Sequence, residues 1–158
     1  MLSFSPLEKP DHSVLLEWLQ LPHVKEWWDD GDDTLEKVST HYSSDPDTTY
    51  RFLIRDDARP IGYIQSYRID KSTAGIDLFL AKTDYLDRGI GTDAVLLFTA
   101  MLGENRGISK FVVDPEPGNL RAIRCYEKAG FVFDRIAPGD NGKQAYFMCM
   151  ERHNIQRR

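Results

Sequence analysis

The sequence has only two cysteines and no long apolar run, and each shortage excludes a class of protein. Cys125 and Cys149 are too few, and lack the spacing, for a zinc site or a disulfide framework. No stretch approaches the ~18 apolar residues of a membrane span, and residues 1–10 lack the pattern of a signal peptide. These absences predict a cytoplasmic protein with reduced thiols, no membrane partner and no metal site.

An excess of positive charge is missing as well. The net charge of −5 at pH 7 argues against a nucleic-acid partner and favours a cationic ligand. A chain of 158 residues, 41% hydrophobic and 28% charged, is long enough to bury a sizeable core. Because no repeat, low-complexity tract or linker divides it, we predict a single domain over residues 1–158. The oligomeric state is left open.

Hydrophobic periodicity predicts helices first, then strands, then an alternation of the two. Helices are predicted from residue 11 to the break at Pro22, and at 23–28, 34–42, 89–103 and 119–129. Strands are predicted around Phe4 and at 50–55, 61–69, 75–81, 110–114, 131–136 and 144–150. The inward residues expected on the third and fourth helices are Leu35, Val38, Tyr42, Ala94, Leu97, Phe98 and Met101. This order of elements predicts an α+β fold with one mixed sheet.

The most specific pattern is the stretch 114–131, which reads DPEPGNLRAIRCYEKAGF. Its Pro-Glu-Pro-Gly turn ends a strand, Asn119 stands at a helix N-cap, and Gly130 stands where a C′ glycine ends the helix. Tyr126 shares a helix side with two aliphatic residues, Leu120 and Ile123. Spacing alone favours a core tyrosine, although a phenol can also protonate a leaving thiolate.

A glycine-containing turn, Arg88-Gly89-Ile90-Gly91-Thr92, lies between a predicted strand and a predicted helix. Glycines let backbone N–H groups converge on an anion, and a helix N-terminus adds the positive end of its dipole. The turn therefore suits a phosphate group, although an ordinary helix start explains the glycines equally well.

Asp77 interrupts the apolar strand 75–81. Alternation along a strand places Asp77 on the same face as Gly75 and Phe79. A carboxylate in a buried strand is costly unless it is paired or used, so Asp77 is either a structural hydrogen-bond acceptor or a functional group.

Aromatic and acidic residues form a last candidate set, namely Trp27, Trp28, Tyr42, Asp114 and Asp140, together with the acidic loop Asp29–Asp33. The like charges of that loop predict that it is solvated. Acidic loops usually serve only solubility, but indole faces and carboxylates together suit a ligand with several ammonium groups.

These segments resemble the GNAT acyl-CoA N-acyltransferases, and most of all the aminoglycoside 6′-N-acetyltransferases, over about residues 16–150. The words Asn119-Leu120-Arg121-Ala122-Ile123-Arg124 and Glu127-Lys128-Ala129-Gly130-Phe131, Gly75-Ile76-Asp77, and Glu26-Trp27-Trp28 carry the resemblance. The glycine turn matches only the family's glycines, because Leu86 replaces an Arg or Gln and Asp87 stands where glycine is common. Asp87 is therefore expected to point away from the phosphates.

The resemblance implies a GNAT-type fold, a mostly antiparallel mixed sheet flanked by helices, and acetyl-CoA as co-substrate. The residues it implies for acetyl-CoA are Phe79, Ala81, Arg88, Gly89, Ile90, Gly91, Thr92 and Asn119. Those it implies for the substrate are Trp27, Trp28, Tyr42, Asp77, Asp114 and Asp140. Asp77 is expected to assist deprotonation of the amine and Tyr126 to protonate the thiolate. The expected substrate is a small cationic amine, above all the 6′-amine of an aminoglycoside.

Two other functions stay open. The pattern His23-x-x-x-Trp27-Trp28 also resembles acyltransferases that act on a hydroxylamino or lysine group in siderophore synthesis, and another polyamine is a further substrate. A non-catalytic acyl-CoA-binding module would keep Gly89, Gly91 and Asn119 but would need neither Asp77 nor Tyr126.

Overall fold

The computed structural model describes residues 1–43 and 47–152. The helices in this part of the chain are α1 (His12–Leu19), α2 (Pro22–Lys25), α3 (Leu35–His41), α4 (Ile90–Arg106) and α5 (Leu120–Ala129). The strands are β1 (Leu2–Pro6), β2 (Thr49–Asp56), β3 (Arg59–Arg68), β4 (Thr73–Leu80), β5 (Lys110–Val113), β6 (Val132–Pro138) and β7 (Gln144–Glu151). Every described helix is too short or too polar to cross a bilayer.

The seven strands form one sheet in the order β1-β2-β3-β4-β5-β7-β6. β4 and β5 are parallel, whereas the pairs β1–β2, β5–β7 and β6–β7 are antiparallel. The predicted α+β class with one mixed, mostly antiparallel sheet is therefore confirmed. Short turns join β2 to β3, β3 to β4 and β6 to β7, and the parallel pair is joined through α4.

Contacts divide the chain into two compact units, the first comprising residues 1–66 and 77–86 and the second residues 67–76 and the chain from 87 onward. The core of the first unit is an apolar cluster from its helices and strands, made of Leu7, Leu15, Trp18, Leu19, Val24, Val38, Tyr42, Leu53, Tyr63 and Ala81. Gly62 on β3 lies against the backbone of Phe79 on β4. A Cβ atom built on Gly62 would lie 2.4 Å from the carbonyl oxygen of Phe79. Close approach of the backbones of β3 and β4 therefore requires glycine at residue 62.

The second unit has its own buried residues on α4, β5, α5 and β7, including Phe98, Phe111, Ile123 and Met148. α5 ends as predicted. Gly130 has a φ of 104°, and the N–H groups of Gly130 and Phe131 donate to the carbonyls of Glu127 and Tyr126, a Schellman cap. Both cysteines of this unit are free thiols.

Several details of the sequence prediction are wrong. Leu35 is 50% exposed, although Val38 and Tyr42 on the same helix and Tyr126 on α5 are buried as expected. α4 continues to Arg106 and buries Val95, Thr99 and Leu102 beside Ala94 and Phe98, while Leu97 is 44% exposed. The buried side of α4 is therefore displaced by one residue from the predicted side. The prediction failed because a helix that is rich in apolar residues on several sides does not define a single buried face.

Candidate active site

Asp77 lies in the first unit on β4, and its side chain is half-buried. Gln65 on β3 donates from Nε2 to Asp77 Oδ2 at 3.0 Å, and Tyr63 donates from its hydroxyl to Gln65 Oε1 at 2.7 Å. The rings of Tyr63 and Phe79 lie 5.7 Å apart between centroids. Asp77 and Phe79 therefore share one face of the sheet, as the alternation predicts. On that face, aromatic rings border a row of hydrogen-bonded polar side chains.

Aromatic side chains of the first unit lie around these hydrogen-bonded residues. Trp28 donates from Nε1 to the hydroxyl of Tyr42 at 2.9 Å, and its ring meets those of Phe79 and Tyr63 edge-on at 5.1 and 5.8 Å. Burial raises the pKa of Tyr42 and of Tyr63 far above the usual phenol value, so both remain neutral at physiological pH. Trp27, by contrast, is 41% exposed.

The acidic loop that follows Trp28 is exposed as predicted, except at Asp32. Asp32 keeps just 10% of its side chain exposed and accepts from Nδ1 of His41 at 2.7 Å. The oxygen atoms of Asp30 and Asp32 and a ring nitrogen of His41 all lie within 4.8 Å of one another. Partial burial, reinforced by Asp32 and Asp29, raises the pKa of Asp30, and His41 opposes the shift. The loop therefore concentrates negative charge beside an indole.

The end of β4 has backbone groups that are already engaged. The N–H of Ala81 donates to the carbonyl of Ile61 at 2.8 Å, and the ring nitrogen Nε2 of His23 lies 2.9 Å from the carbonyl oxygen of Leu80. Ala81 is 3% exposed. Any contact of Ala81 with a cofactor would therefore not use its N–H group.

The glycine turn of the second unit leads directly into α4. Gly89 has a φ of 77° and forms the N-cap, and a Cβ built there meets no atom within 4 Å. Helix geometry leaves the N–H groups of Ile90, Gly91 and Thr92 without an intrahelical acceptor, and they point out of the helix start. A Cβ on Gly91 would lie 3.1 Å from Cys125 Sγ, and Thr92 Oγ1 donates to the Cys125 carbonyl at 3.1 Å. The turn is an open anion-binding geometry anchored to α5.

Asp87, which stands where the family favours glycine, forms an ion pair with Arg121. Its two carboxylate oxygens accept from Nε and Nη2 of Arg121 at 3.0 and 3.1 Å. This pairing lowers the pKa of Asp87. Asp87 itself has a φ of 58°, in the left-handed region that glycine adopts more easily. The negative charge that the turn carries is thus neutralised by a residue of α5, and the same turn offers Arg88, which is exposed.

The stretch 114–131 contributes two candidate residues on or next to α5, namely Asn119 and Tyr126. Asn119 Oδ1 accepts from the N–H of Ala122 at 3.3 Å, which confirms the predicted N-cap. Tyr126 is 5% exposed and meets Phe131 edge-on at 5.6 Å. An asparagine side chain also has an NH₂ group, which is the part that could donate to an acceptor on a cofactor.

Two further acidic residues predicted for substrate lie in this unit. Asp114 directly follows β5 and is half-buried, whereas Asp140 is exposed in the turn before β7. Nearby, the N–H of Tyr146 donates to the carbonyl of Pro115 at 2.7 Å. The Pro-Glu-Pro-Gly turn is therefore held against β7.

Sequence reasoning missed three residues that the structure joins to Asp77, namely Arg51, Tyr63 and Gln65. Tyr63 and Gln65 are two residues apart on β3 and therefore share a face, and that spacing was the one signal available for them. Nothing in the local sequence marks Arg51, because its partners come from β3 and from the end of α3.

The chain matches the model of the acetyltransferase (GNAT) domain over residues 8–137. It is 34% identical over 166 residues to aminoglycoside N(6′)-acetyltransferase type 1 of Klebsiella pneumoniae, covering 93% of this chain and 81% of that protein. The structure is similar to that of AAC(6′)-Ib in complex with paromomycin and acetyl-CoA, with a TM-score of 0.87 and 32% identity over 96% of this chain and 93% of that one. The AAC(6′)-Ib complex with coenzyme A and kanamycin gives a TM-score of 0.86 at 32% identity, covering 96% and 95%.

Proposed function

Because the chain belongs to the GNAT acetyltransferase family, we propose that it transfers the acetyl group of acetyl-CoA to the 6′-amine of an aminoglycoside. The observation that carries the substrate class is the position of Asp77, a half-buried carboxylate on β4 that accepts from Gln65 among the rings of the first unit. A carboxylate beside aromatic faces attracts an ammonium group and can receive its proton. The relatives named above act on, or bind, such drugs.

Acetyl-CoA is the second substrate. Its pyrophosphate would meet the N–H groups of residues 90–92 at the start of α4, where the left-handed Gly89 leaves open space. Arg88 would add a positive charge, and Asn119 would donate from its side-chain amide to the pantetheine arm. Phe79 and Ala81 would line the arm on β4 and just after it. Because acetyl-CoA is a cytoplasmic metabolite, we also propose a cytoplasmic location.

The reaction we propose needs no covalent enzyme intermediate. Asp77 accepts a proton from the substrate ammonium, directly or through one water, which frees the amine lone pair. The amine nitrogen forms a bond to the thioester carbon, and the carbon–sulfur bond breaks with its electron pair moving to sulfur. Tyr126 gives its proton to the departing thiolate. The second proton of the substrate nitrogen, which is acidic once the carbon–nitrogen bond has formed, passes to the Tyr126 oxygen directly or through water, and the proton held by Asp77 is released to solvent. The products are the amide and coenzyme A.

The remaining acidic and aromatic residues would set affinity. Trp28 and Trp27 offer indole faces, and Tyr42 holds Trp28 in place through its hydroxyl. The carboxylates of Asp114 and Asp140 would attract further ammonium groups. Since these charges act over several ångströms through solvent, their contribution should fall steeply as salt is added.

The test is a panel of amines offered to the purified protein with acetyl-CoA, followed by release of free thiol. We expect turnover with kanamycin and none with an aminoglycoside that carries a 6′-hydroxyl. Turnover restricted to a small polyamine or a hydroxylamine would overturn the aminoglycoside assignment and leave acetyl transfer intact. Calorimetry should also show that acetyl-CoA binds without an amine. No binding at millimolar acetyl-CoA would contradict catalysis and the binding-module alternative together.

A further inference from the structure

A chain of hydrogen bonds runs across three strands of the first unit and ends at Asp77. Arg51 on β2 donates from Nη1 to Gln65 Oε1 at 2.8 Å and to the hydroxyl of Tyr63 at 3.2 Å. Tyr63 donates to the same Oε1 atom, and Gln65 Nε2 donates to Asp77 Oδ2. Arg51 is therefore two hydrogen bonds away from the proposed base.

The donors and acceptors in this series of hydrogen bonds allow only one orientation of the Gln65 amide. A guanidinium group can only donate, and the neutral Tyr63 hydroxyl has one proton, which it gives to Gln65. Both therefore require the oxygen of the Gln65 amide on their side. The NH₂ group of Gln65 must then face Asp77, where it donates to a carboxylate oxygen. Without Arg51, rotation of the amide by half a turn would place its oxygen against the carboxylate.

Arg51 is itself held in place on several sides. Its Nη2 donates to the carbonyl of His41 at 3.2 Å, and its guanidinium carbon lies 5.4 Å from the centre of the Tyr42 ring. In the part of the chain that the structure describes, its hydrogen-bond partners are a phenol, an amide and a carbonyl, all of them neutral. Its Nε is buried and has no acceptor among the described residues. A cation kept half-buried with neutral partners is costly, which favours a role beyond packing.

We propose that Arg51 is a positioning residue that orients the Gln65 amide and thereby holds the Asp77 carboxylate in the rotation needed to accept the amine proton. This proposal rests on the proposed function, in which Asp77 is the base. It predicts an effect on turnover rather than on affinity, since Arg51 need not touch the substrate. The rival role, a cation that repels a polycationic drug, predicts the reverse: loss of Arg51 would lower KM and leave kcat unchanged.

The chain offers a matched control for this test. Arg55 lies four residues further along β2, hence on the same face, and is also half-buried. It donates to Ser5 Oγ at 2.8 Å and to the carbonyl of Ala58 at 3.1 Å, and neither partner is bonded to Gln65. Arg55→Met therefore removes a guanidinium of equal size from the same strand without touching the path to Asp77.

With kanamycin as substrate, we expect Arg51→Met to lower kcat about 10- to 100-fold and change KM little, the effect of a lost hydrogen bond to a charged group. Arg55→Met should stay within a few-fold of wild type. Gln65→Glu, which keeps an acceptor for Arg51 but removes the N–H donor to Asp77, should lower kcat as Arg51→Met does. The double variant should be no slower than the slower single one, because both changes break one path. Additive losses, or a lower KM with kcat preserved in Arg51→Met, would overturn the proposal.

A second measurement does not depend on turnover. In ¹⁵N-labelled protein, the side-chain NH₂ signals of Gln65 can be assigned by their loss in Gln65→Glu. They should exchange slowly with solvent in wild type and in Arg55→Met, and about tenfold faster or more in Arg51→Met. Equal exchange in all three would show that Arg51 does not order Gln65, even if Arg51→Met is well folded and slow. If wild type acetylates no amine, the proposed function fails, and this experiment still decides whether Arg51 orders the amide.

Discussion

The candidate functional groups of the two units are held in position in different ways. In the first unit, Asp77 is held by side chains from other strands, through Gln65 at 3.0 Å and Tyr63 beyond it. In the second, the glycine turn offers backbone N–H groups whose direction is set by the φ of 77° at Gly89 and by the start of α4. Side chains can be varied to suit an amine substrate, whereas a backbone turn suits a phosphate that is common to every acetyl-CoA enzyme.

This contrast predicts how each region responds to mutation. A change of one side-chain atom in the first unit should alter chemistry while leaving acetyl-CoA binding intact. A change in the backbone preference of the turn should alter acetyl-CoA binding and stability while leaving the chemistry of the bound complex intact. The changes below test that division in order of expected effect.

The largest effect should come from Asp77→Asn. The swap is nearly isosteric and keeps an oxygen that can accept from Gln65, but it removes the proton acceptor, so kcat should fall by about 10²–10⁴. Drug affinity should also weaken by roughly 1.5–3 kcal/mol through loss of a charge-assisted hydrogen bond. Steady-state kinetics and calorimetry with kanamycin measure both. Asp84→Asn, just after β4 in the same unit, is the control and should behave as wild type; a comparable loss there would point to a general electrostatic effect.

A smaller loss is expected for Tyr126→Phe. The phenyl ring keeps the edge contact with Phe131, so stability and acetyl-CoA affinity should change little. Removal of the proton donor should lower kcat by about 10². Thermal melting, acetyl-CoA titration and turnover separate these quantities. Turnover within a few-fold of wild type would mean that Tyr126 is only a core residue.

Gly89→Ala should act on binding and stability rather than on chemistry. A left-handed φ costs a residue with a Cβ roughly 1–2 kcal/mol, so Tm should fall. Gly31→Ala is the matched control, because Gly31 has a φ of 75° and equal space around it but lies outside the turn. Both variants should lose similar stability, and only Gly89→Ala should bind acetyl-CoA more weakly, by about tenfold at most, or ~1.4 kcal/mol. Equal acetyl-CoA affinities would remove this turn from the binding site.

Asp87→Asn should have the smallest effect, and its size depends on pH. Arg121 holds the pKa of Asp87 below its ordinary value, so the pair stabilises the fold above about pH 4 and this contribution is lost as pH falls through the lowered pKa. The variant should therefore melt slightly earlier at neutral pH and like wild type in strong acid. Because Arg121 is released, acetyl-CoA should bind a few-fold tighter at low salt, with a steeper salt dependence. Identical melting at all pH values would show that this exposed pair contributes nothing.

The features that local sequence predicted well are those decided within one turn of the chain. Asn119 caps α5 through an N–H three residues away, and Thr34 caps α3 through Lys37 in the same manner. Gly130 ends α5 because only a residue that adopts a positive φ easily can close a Schellman cap. Predictions of inward faces were weaker, as Leu35 and Leu97 show, because burial depends on what packs against a helix.

The sequence by itself determined the family, the order of helices and strands, the caps, and the presence of a carboxylate and an aromatic residue on one face of β4. Only the tertiary structure decided which partners these groups have. Arg51, Gln65 and Asp77 lie on three different strands, and Asp87 meets Arg121 at a separation of 34 residues. Hydrogen bonds between side chains depend on strand register and rotamer, which no periodicity in the sequence encodes. For that reason Asp77 could be found from its own strand, whereas Arg51 could not.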